Sequence, residues 1–529
     1  MFLDDAATAP QVVPLRAPAA DGHHHRLGAL PPDAARNPFT TITGPLPDQA
    51  LDGLVTACAA VPAAITLTPA RLAADPTPHS DPLPTPVLET TVDDALTHAH
   101  DALAATDPRT ARLYRVLGTL PLPGPRIDAP MAAAAAGLDP VTAGHAFDTL
   151  VERRLVTPLD SDSRAVERRY AFQSADGRRH AARLAHLVDG PDSARTCQLR
   201  ALDWLVAEAH VASRILAPHR PLITPELQYL PAHRAGIGTR VAAHAWFAGR
   251  DLDLLGALHT ARDAGLDYHS AFLGYAAWPW LLLQRDYPQW IAVCDISVEA
   301  AHRLAVTAPR RGSGRMLLRE LLGARATALR AVGRTREAIR DCEHALEQAT
   351  EDRDAVDEAR ALHDLGAAHH QDGQPRRAYG YLDQAYRARM LLGRTRDAGV
   401  TLVQVAEVLA DLGDHPAALT CLYEARRILL TEGDPLNAAR ALAWTGRLRA
   451  LTGDTAAGAD LDAALTEFEA LHSLPWQARV LNWKGLLAED QGHTDDAIAL
   501  HHRALALYTG SAHDTHRVRG DLARLGVDA

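Results

Sequence analysis

Five glycines recur along the second half of the chain at an almost constant distance, and each follows an apolar, helix-favouring stretch. They are Gly333, Gly373, Gly413, Gly453 and Gly492. A glycine can adopt the positive φ that ends a helix, and Thr335 after the first of them can cap the next helix. The regular spacing therefore predicts an internal repeat of helix, tight turn and helix.

Small residues also recur at fixed distances after these glycines. An alanine follows four of the five glycines at the fifth position, and another lies seven positions further on: Ala338, Ala378, Ala418 and Ala497, then Ala345, Ala385, Ala425 and Ala504. The fourth unit has Gly458 and Leu465 instead, so we expect it to be degenerate. Small residues let two helices approach closely, so each unit is predicted to be an antiparallel helix pair that stacks on the next.

This pattern resembles tetratricopeptide repeats, most clearly at Leu365-Gly366, Gly373, Ala378 and Ala385. The family's period is ~34 residues, so the period of about 40 residues found here implies helices that are each about three residues longer. The resemblance implies an all-α fold with a tetratricopeptide-repeat superhelix of five units over residues 316–529. A similar helical region is expected at 195–310.

Charge and cysteine content limit the function classes. The chain has 529 residues and a net charge of −11, which argues against general nucleic-acid binding. It contains no apolar run of about 18 residues, and its first five residues do not resemble a signal peptide. We therefore expect a cytoplasmic location without membrane contact. The five cysteines are far apart in the sequence and are expected to be reduced thiols in the core.

Residues 1–40 are rich in Pro, Ala and Asp, and we expect a disordered tail there. His23-His24-His25 lies in this tail, but adjacent side chains in a flexible segment do not converge on one ion, so we expect no metal and no cofactor. Residues 41–90 are predicted to comprise two apolar helices and the Pro-rich linker DPTPHSDPLPTP at 75–86.

Three helices followed by two strands are predicted within residues 91–190. The helices cover 107–118, 129–136 and 139–154, and the strands are LVTPL at 155–159 and RRYAF at 168–172. The first helix is expected to begin at an Asp107 cap with Pro108 in its first turn. Three helices closed by a β-hairpin predict a small winged-helix domain.

The order of these segments resembles that of actinobacterial STAND regulators, in which an NB-ARC ATPase precedes a winged helix and tetratricopeptide repeats. ACAAVPAAITLTPARL at 57–72 is similar to the ACGGLPLAL-type motif of that family. AHAWFAGRDLDLLGALHTARDAG at 243–265 is similar to the segment that opens its repeat region. The resemblance implies that residues 41–90 are a remnant of the NB-ARC module.

The residues that such ATPases use for nucleotide binding are changed here. A phosphate-binding loop requires a lysine after its glycines, but the single lysine, Lys484, lies in NWKGLL within a predicted repeat helix. The family's His-Asp after the second strand is Gln173-Ser174, and its Gly-Leu-Pro is Ala60-Val61-Pro62. The chain thus resembles a truncated member without the P-loop core, and we expect neither nucleotide switching nor enzymatic activity.

These patterns favour a non-enzymatic regulatory adaptor that binds a protein or peptide in the concave face of the repeats. A DNA-binding transcriptional regulator is an alternative, because eight arginines and five acids lie within 151–185. Its candidate recognition helix at 140–150, however, has no Arg, Asn or Gln for base edges. A peptide-pheromone sensor is a third hypothesis.

Counting back from the turn glycines places an arginine at the expected groove-facing position in three units, and Glu320 and Val400 in the other two. The arginines are Arg360, Arg440 and Arg479, and further candidates from the same count are His363, Glu407, Arg447 and Asn482. Guanidinium groups bind carboxylates through two parallel hydrogen bonds, so the hypothesis is capture of an acidic segment or a C-terminal carboxylate. The alternative is that the arginines only pair with acids of adjacent helices, each pair contributing about 0.2–0.5 kcal/mol.

Overall fold

The computed structural model describes residues 92–121, 126–159, 168–218, 220, 222–232, 234–307, 313–508 and 512–527. The predicted tail, the two apolar helices after it and the Pro-rich linker lie outside these residues. The chain forms two compact units, the first ending at Ala276 and the second beginning at Ala277. The domain boundaries expected from the sequence remain predictions.

The described part of the first unit is mostly helical. Its helices are α1 (Val92–Thr106), α2 (Pro108–Thr119), α3 (Ala129–Ala136), α4 (Pro140–Glu152), α5 (Ala175–Leu184), α6 (Pro191–Leu216), α7 (Arg240–Ala248) and α8 (Asp251–Asp263). Its strands are β1 (Arg126–Asp128), β2 (Val156–Pro158) and β3 (Arg169–Phe172). A short π-helix, Ala185–Asp189, joins α5 to α6, and α9 (Asp267–Gln284) runs across the boundary between the units.

The three strands form one small antiparallel sheet in which β3 lies between β1 and β2. The two strands predicted from the sequence are present as β2 and β3, whereas β1 was not predicted. Tyr170 of β3 stacks on Phe147 of α4 with their ring centroids 4.2 Å apart, and both side chains are fully buried. The sheet therefore packs on α4 through an aromatic contact.

Aspartate caps begin two of the predicted helices. Asp107 accepts hydrogen bonds from the backbone N–H groups of Arg109 and Thr110, each at 3.1 Å. Asp139 caps α4 in the same way. Each aspartate is followed by a proline at the first helical position, where a missing N–H costs nothing. The predicted start of the helix at Asp107 is confirmed.

The described residues include long helices and four cysteines. None of their helices combines the length and the apolar composition that crossing a membrane requires. The four described cysteines are free, and Cys197, Cys294 and Cys342 are buried. Burial raises the pKa of the Cys294 thiol to about 12, so this thiol is protonated at neutral pH. A cytoplasmic location remains a prediction.

The second unit consists of stacked antiparallel helices. After α10 (Tyr287–Thr307) come α11 (Ser313–Ala331), α12 (Thr335–Asp352), α13 (Ala355–Gln371), α14 (Pro375–Leu391), α15 (Thr395–Asp411), α16 (His415–Thr431), α17 (Pro435–Leu451), α18 (Ala457–Ala470), α19 (Leu474–Asp490), α20 (Thr494–Leu507) and α21 (Ala512–Arg524). The five predicted units are the pairs from α11/α12 to α19/α20. We call the odd-numbered member of each pair the first helix and its partner the second helix.

A turn with a positive-φ residue follows each helix from α11 to α19, so these turns occur about twice as often as the glycines noted in the sequence. Residues with positive φ stand at 333, 353, 373, 393, 413, 433, 453, 472 and 492. Seven of them are glycines, but Arg353 and His472 adopt the same left-handed conformation, with φ of 55° and 51°. Several central helices, such as α13 and α14, have 17 residues each, so two helices and two short turns complete one unit.

Replacing Arg353 and His472 with glycine should stabilise the protein. A side chain with a Cβ atom at positive φ costs about 1–2 kcal/mol relative to glycine, and neighbouring turns such as the one at Gly393 show that glycine fits this conformation. We expect each replacement to raise the free energy of unfolding by about 1 kcal/mol, seen as a higher melting temperature. Gly393→Arg is the matched control and should lower it; equal melting of all variants would contradict this account.

Small residues set the distance between the two helices of a unit. The predicted alanines Ala338, Ala378, Ala418 and Ala497 are all fully buried. The first helices contribute glycines: a Cβ added at Gly366 would lie 2.6 Å from Cγ of Leu382, and one at Gly446 would lie 2.9 Å from Cγ of Leu461. The two helices of a unit therefore approach closely, as the sequence predicts, and both of them contribute small residues to the interface.

The fourth unit departs from the others as the sequence predicted. Its second helix, α18, has 14 residues and begins only at Ala457, whereas the second helices of the other units begin at the second position after the turn glycine. A cleft of about 450 Å³ lies beside this shortened start, next to Gly458 and Lys484. Lys484 donates to Asp462, so the single lysine of the chain is already engaged.

Candidate ligand-binding site

Two of the predicted arginines meet over one aromatic ring. Arg440 on α17 and Arg479 on α19 occupy equivalent positions of consecutive first helices. Their guanidinium carbons lie 5.1 Å and 4.9 Å from the ring centroid of Trp476. Trp476 in turn stacks on the buried Phe468, with ring centroids 5.4 Å apart and an interplanar angle of 16°. The ring is thus held in place from the core while two cations contact it.

Two further tryptophans adjoin this ring and also occupy equivalent positions of consecutive first helices. Trp444 and Trp483 have ring centroids 4.8 Å apart, and Trp483 lies 6.4 Å from Trp476. Trp444 is partly exposed, and its Nε1–H has no hydrogen-bond partner. Together these rings provide an aromatic surface beside the two guanidinium groups.

Glu407 on α15 lies within electrostatic range of the same pair of arginines. Burial raises the pKa of its carboxyl above the usual value, while Arg440 and Arg479 act in the opposite direction. Its carboxylate accepts a hydrogen bond of 3.0 Å from Nε2 of Gln404. We call the group formed by these residues the arginine–tryptophan site: Glu407, Arg440, Trp444, Trp476, Arg479 and Trp483.

Arg440 is only partly satisfied within the protein. Its Nη1 donates to Oδ1 of Asn437 at 2.6 Å, whereas its Nε–H has no acceptor. Burial lowers the pKa of the guanidinium, and the carboxylate of Glu407 counters this effect. Because the ordinary pKa of arginine lies far above neutral, the group stays charged, and the site carries a cation.

Arg360 takes part in an ion pair between adjacent first helices. It forms ion pairs with Glu320 on the preceding first helix and, at 3.0 Å, with Asp357 on its own helix. The sequence left open that these arginines only pair with acids of adjacent helices. Arg360 does form such a pair in the structure.

Two other candidates do not contact the ring of Trp476. Burial holds the pKa of His363 well below its ordinary value, with nearby arginines adding to the effect, and its Nδ1 has no partner. Arg447 is partly buried; burial lowers the pKa of its guanidinium, and the charges of Asp490 and Asp521 counter this effect. These side chains remain candidates, but the structure does not bring them onto the ring of Trp476.

Asn482 requires a correction, because it does not face a groove. Its side chain is 4% exposed, and its Nδ2 donates to Oδ2 of Asp521 on α21 at 2.7 Å. The helix α21 covers the end of the repeats and was not considered in the count from the turn glycines. Asn482 therefore stabilises the contact with the last helix.

Sequence reasoning missed the tryptophans, although the signal was present. Trp444 and Trp483 both stand at the ninth position before a turn glycine, at Gly453 and Gly492. Had the count used for the arginines been extended to aromatic residues, it would have placed both on the same helix face.

The arginine-rich segment of the first unit is largely engaged with neighbouring groups. Arg179 pairs with Asp176, and Arg183 pairs with Asp93 at 2.6 Å. Arg178 donates to the backbone carbonyl of Leu120. Among the residues that the structure describes, no group of three His, Cys, Asp or Glu side chains is placed to hold a metal ion.

A family model described as tetratricopeptide repeat matches residues 317–390, whereas no curated protein matches the sequence. Among solved structures, the chain is similar to a signal transduction ATPase with numerous domains (STAND) and a tetratricopeptide repeat sensor from Pyrococcus horikoshii. That similarity has 10% identity and a TM-score of 0.43, over 95% of this chain and 73% of that chain.

Two other solved structures are similar over a smaller part of the chain. The apo form of RapI has 12% identity and a TM-score of 0.40, over 50% of this chain and 94% of that chain. A Rap protein complexed with competence and sporulation factor has 12% identity and a TM-score of 0.39, over 62% of this chain and 99% of that chain. The family match and the five stacked helix pairs show that the second unit has a tetratricopeptide-repeat fold.

Proposed function

We propose that this chain is a non-enzymatic regulatory adaptor that holds a protein or peptide segment at the arginine–tryptophan site. The observation that supports this function best is the placement of Arg440 and Arg479 over the single ring of Trp476. An aromatic face restrains a guanidinium group, so less side-chain freedom is lost when the group binds an anion. The site lies on the first helices, which line the concave face in tetratricopeptide folds.

The ligand chemistry that fits this site is a carboxylate next to an apolar group. Guanidinium groups bind carboxylates through charge-assisted hydrogen bonds, each worth about 1.5–3 kcal/mol. The rings of Trp444 and Trp476 can bury an adjacent apolar side chain. We therefore infer that the bound segment is acidic or ends in a C-terminal carboxylate, and a peptide signal sensed by a receptor would belong to the same class.

The test uses glutamate-rich octapeptides that contain one leucine, with either a free or an amidated C-terminus, and a lysine-rich octapeptide as the negative ligand. Tryptophan fluorescence and calorimetry should show binding of the acidic peptides only. Replacing Arg440 and Arg479 together with alanine should weaken binding by at least about tenfold, because two charge-assisted contacts are lost. The melting temperature should change little.

The matched control replaces Arg387 and Arg427 with alanine. Both lie on second helices, are largely exposed and pair with acids of their own helix, so the control removes the same charge elsewhere. Its affinity should equal that of the original protein. If both double variants bind equally well, or if the lysine-rich peptide binds as tightly as the acidic ones, the proposed site is wrong.

We also infer that α2, α3 and α4 with the sheet form a winged helix, and that the chain is related to actinobacterial STAND regulators. The order of three helices and three strands, with β3 between β1 and β2, supports the first inference. Arg179 and Arg183 form ion pairs with Asp176 and Asp93, which reduces the positive charge that could bind DNA phosphates. We therefore favour protein or peptide binding over DNA binding.

A further inference from the structure

The segment at 222–232, between α6 and α7, forms neither a helix nor a strand. It contains two prolines, which interrupt regular structure, so its backbone N–H groups need other acceptors. The N–H of Glu226 donates to Oη of Tyr268 at 2.6 Å. The N–H of Tyr229 donates to Oδ2 of Asp203 at 2.8 Å. Side chains of α6 and α9 therefore hold this segment in place.

The carboxylate of Asp203 is itself held from its other side. Its Oδ1 lies 2.9 Å from Nε2 of His269 on α9, and Asp203 is fully buried whereas His269 is 8% exposed. Both carboxylate oxygens are thus engaged within the protein, and the backbone at Tyr229 is fixed by a buried anchor. A wall built in this way is present before any ligand arrives, as in most small-molecule sites.

A cleft of about 420 Å³ lies between this segment and the turn that joins α3 to α4. Small-molecule sites commonly have volumes of about 300–1,000 Å³. Leu138 of the turn and Leu230 of the segment contribute apolar surface to the cleft, and Leu230 is 85% exposed. An apolar side chain that is so exposed beside a cleft can bury surface against a ligand.

Arg200 of α6 supplies a cation to the same cleft. Its guanidinium carbon lies 5.0 Å from the ring centroid of Tyr229. Its Nη1 lies against Gly137, where an added Cβ would be only 2.6 Å away. Gly137 has a φ of 68° and ends α3, so glycine meets both requirements there. Among the residues that the structure describes, no carboxylate forms an ion pair with Arg200.

Asp139, two residues after Gly137, supplies an anion to the cleft. Its Oδ1 accepts the cap hydrogen bonds of α4, and its Oδ2 accepts from Oγ1 of Thr142 at 2.6 Å. Hydrogen bonding, chiefly from Thr142, lowers the pKa of this carboxyl, so it is ionised at neutral pH. The cleft therefore presents a cation and an anion on either side of a short turn, with apolar surface beside them.

We propose that this cleft binds a small zwitterion with an apolar body, the class that includes free apolar amino acids and short apolar peptides. Arg200 binds the carboxylate, Asp139 binds the ammonium group, and Leu138 and Leu230 contact the apolar body. A ligand with only one of the two charges leaves the opposite protein charge without a partner. The cleft belongs to the first unit, so this inference does not depend on the arginine–tryptophan site.

Calorimetry of the full chain with L-leucine and with L-leucyl-L-leucine tests the proposal. At least one of them should bind with a Kd of about 1 mM or tighter, and their relative affinities distinguish an amino acid from a short peptide as the source. N-acetyl-leucine lacks the ammonium group and leucinamide lacks the carboxylate. Each should bind at least about fivefold more weakly, because one charge-assisted contact is lost.

Two variants with matched controls locate the binding. Arg200→Met keeps the apolar stem and should weaken binding at least about tenfold. Asp139→Asn should weaken it at least about threefold at an unchanged melting temperature, because asparagine caps a helix as well as aspartate does. Arg195→Met changes an exposed arginine of the same helix, and Asp107→Asn changes the equivalent cap of α2. Both controls should bind like the original protein.

The results that would overturn the proposal are distinct. It is wrong if neither zwitterion binds, or if N-acetyl-leucine and leucinamide bind as tightly as the zwitterions. It is also wrong if Asp139→Asn, with its cap intact, binds as tightly as Asp107→Asn. Binding that disappears in the Arg440 and Arg479 double variant would assign the ligand to the other site and would likewise exclude this cleft.

Discussion

A protein in which Arg319 is replaced by methionine should lose about 3–5 kcal/mol of stability, the cost of breaking a buried ion network. The Arg319 side chain is 3% exposed. Its Nε donates to Asp357 at 2.5 Å, its Nη2 donates to Asp354 at 3.0 Å, and its Nη1 donates to Asp352. Without the cation, three carboxylates face one another beside the buried side of α11.

The loss of stability in Arg319→Met should depend on pH. Burial raises the pKa of Asp357 above its usual value, and Arg319 works against this shift. Without Arg319 the folded-state pKa rises further above the unfolded value, so the charged form of Asp357 penalises folding at neutral pH. This penalty disappears as the pH falls through the folded-state pKa, and the deficit of the variant should therefore shrink on acidification.

Arg334→Ala is the matched control for this experiment. Arg334 forms an equally direct pair with Glu337, but both side chains are exposed, and such surface pairs contribute about 0–1 kcal/mol. Urea unfolding of both variants at pH 7 and pH 5, followed by circular dichroism, measures the two effects. Equal losses for Arg319→Met and Arg334→Ala would show that burial does not determine the strength of this network.

The repeat was predictable because its turns impose a backbone requirement that few residues meet. One glycine at the same place in every unit predicted the five units, and the structure contains five stacked helix pairs. The finer period of one turn per helix was missed, because Arg353 and His472 replace glycine at two of the intervening turns. Tertiary packing holds these two residues in a conformation that their own propensities disfavour.

The short strand β1 was missed for a different reason. Its three residues, Arg126–Asp128, carry no alternating pattern long enough to predict a strand. They become a strand only because they pair with β3. The strand conformation of such a segment depends on pairing with a neighbouring strand, so its own sequence does not predict it.

The candidate arginines were chosen from the same periodicity, and their role in binding remains a prediction. Counting from the turns put Arg440 and Arg479 at equivalent positions of consecutive first helices, because each turn fixes the helical phase. The count could not distinguish Arg360, whose ion pair with Glu320 depends on the side chain of another unit. It also could not foresee that α21 covers Asn482. Partners from distant segments decide which contacts such residues make.

Ending the chain after Leu471, so that α19, α20 and α21 are removed, should unfold the fourth unit. The apolar side of α18 packs on these helices: Leu461 and Phe468 are fully buried and belong to one cluster with Val480 and Trp483. Exposing a large buried side chain costs about 1.5–3 kcal/mol. Several are exposed at once, so we expect aggregation or a melting temperature at least about 10 °C lower.

Ending the chain after Tyr508 provides the matched control, because it removes only α21 and the residues just before it. This loses the packing of Val518 and Leu522 and the hydrogen bond from Asn482, so the loss should be smaller. In a solenoid each unit is stabilised mainly by its neighbours. Hydrogen exchange in the longer deletion should therefore increase in α17 and α18 while α11 to α14 keep their protection. A uniform loss of protection from α11 to α18 would instead mean that the repeats unfold as one cooperative block, and an unchanged melting temperature would mean that the last unit contributes nothing to the stability of its neighbour.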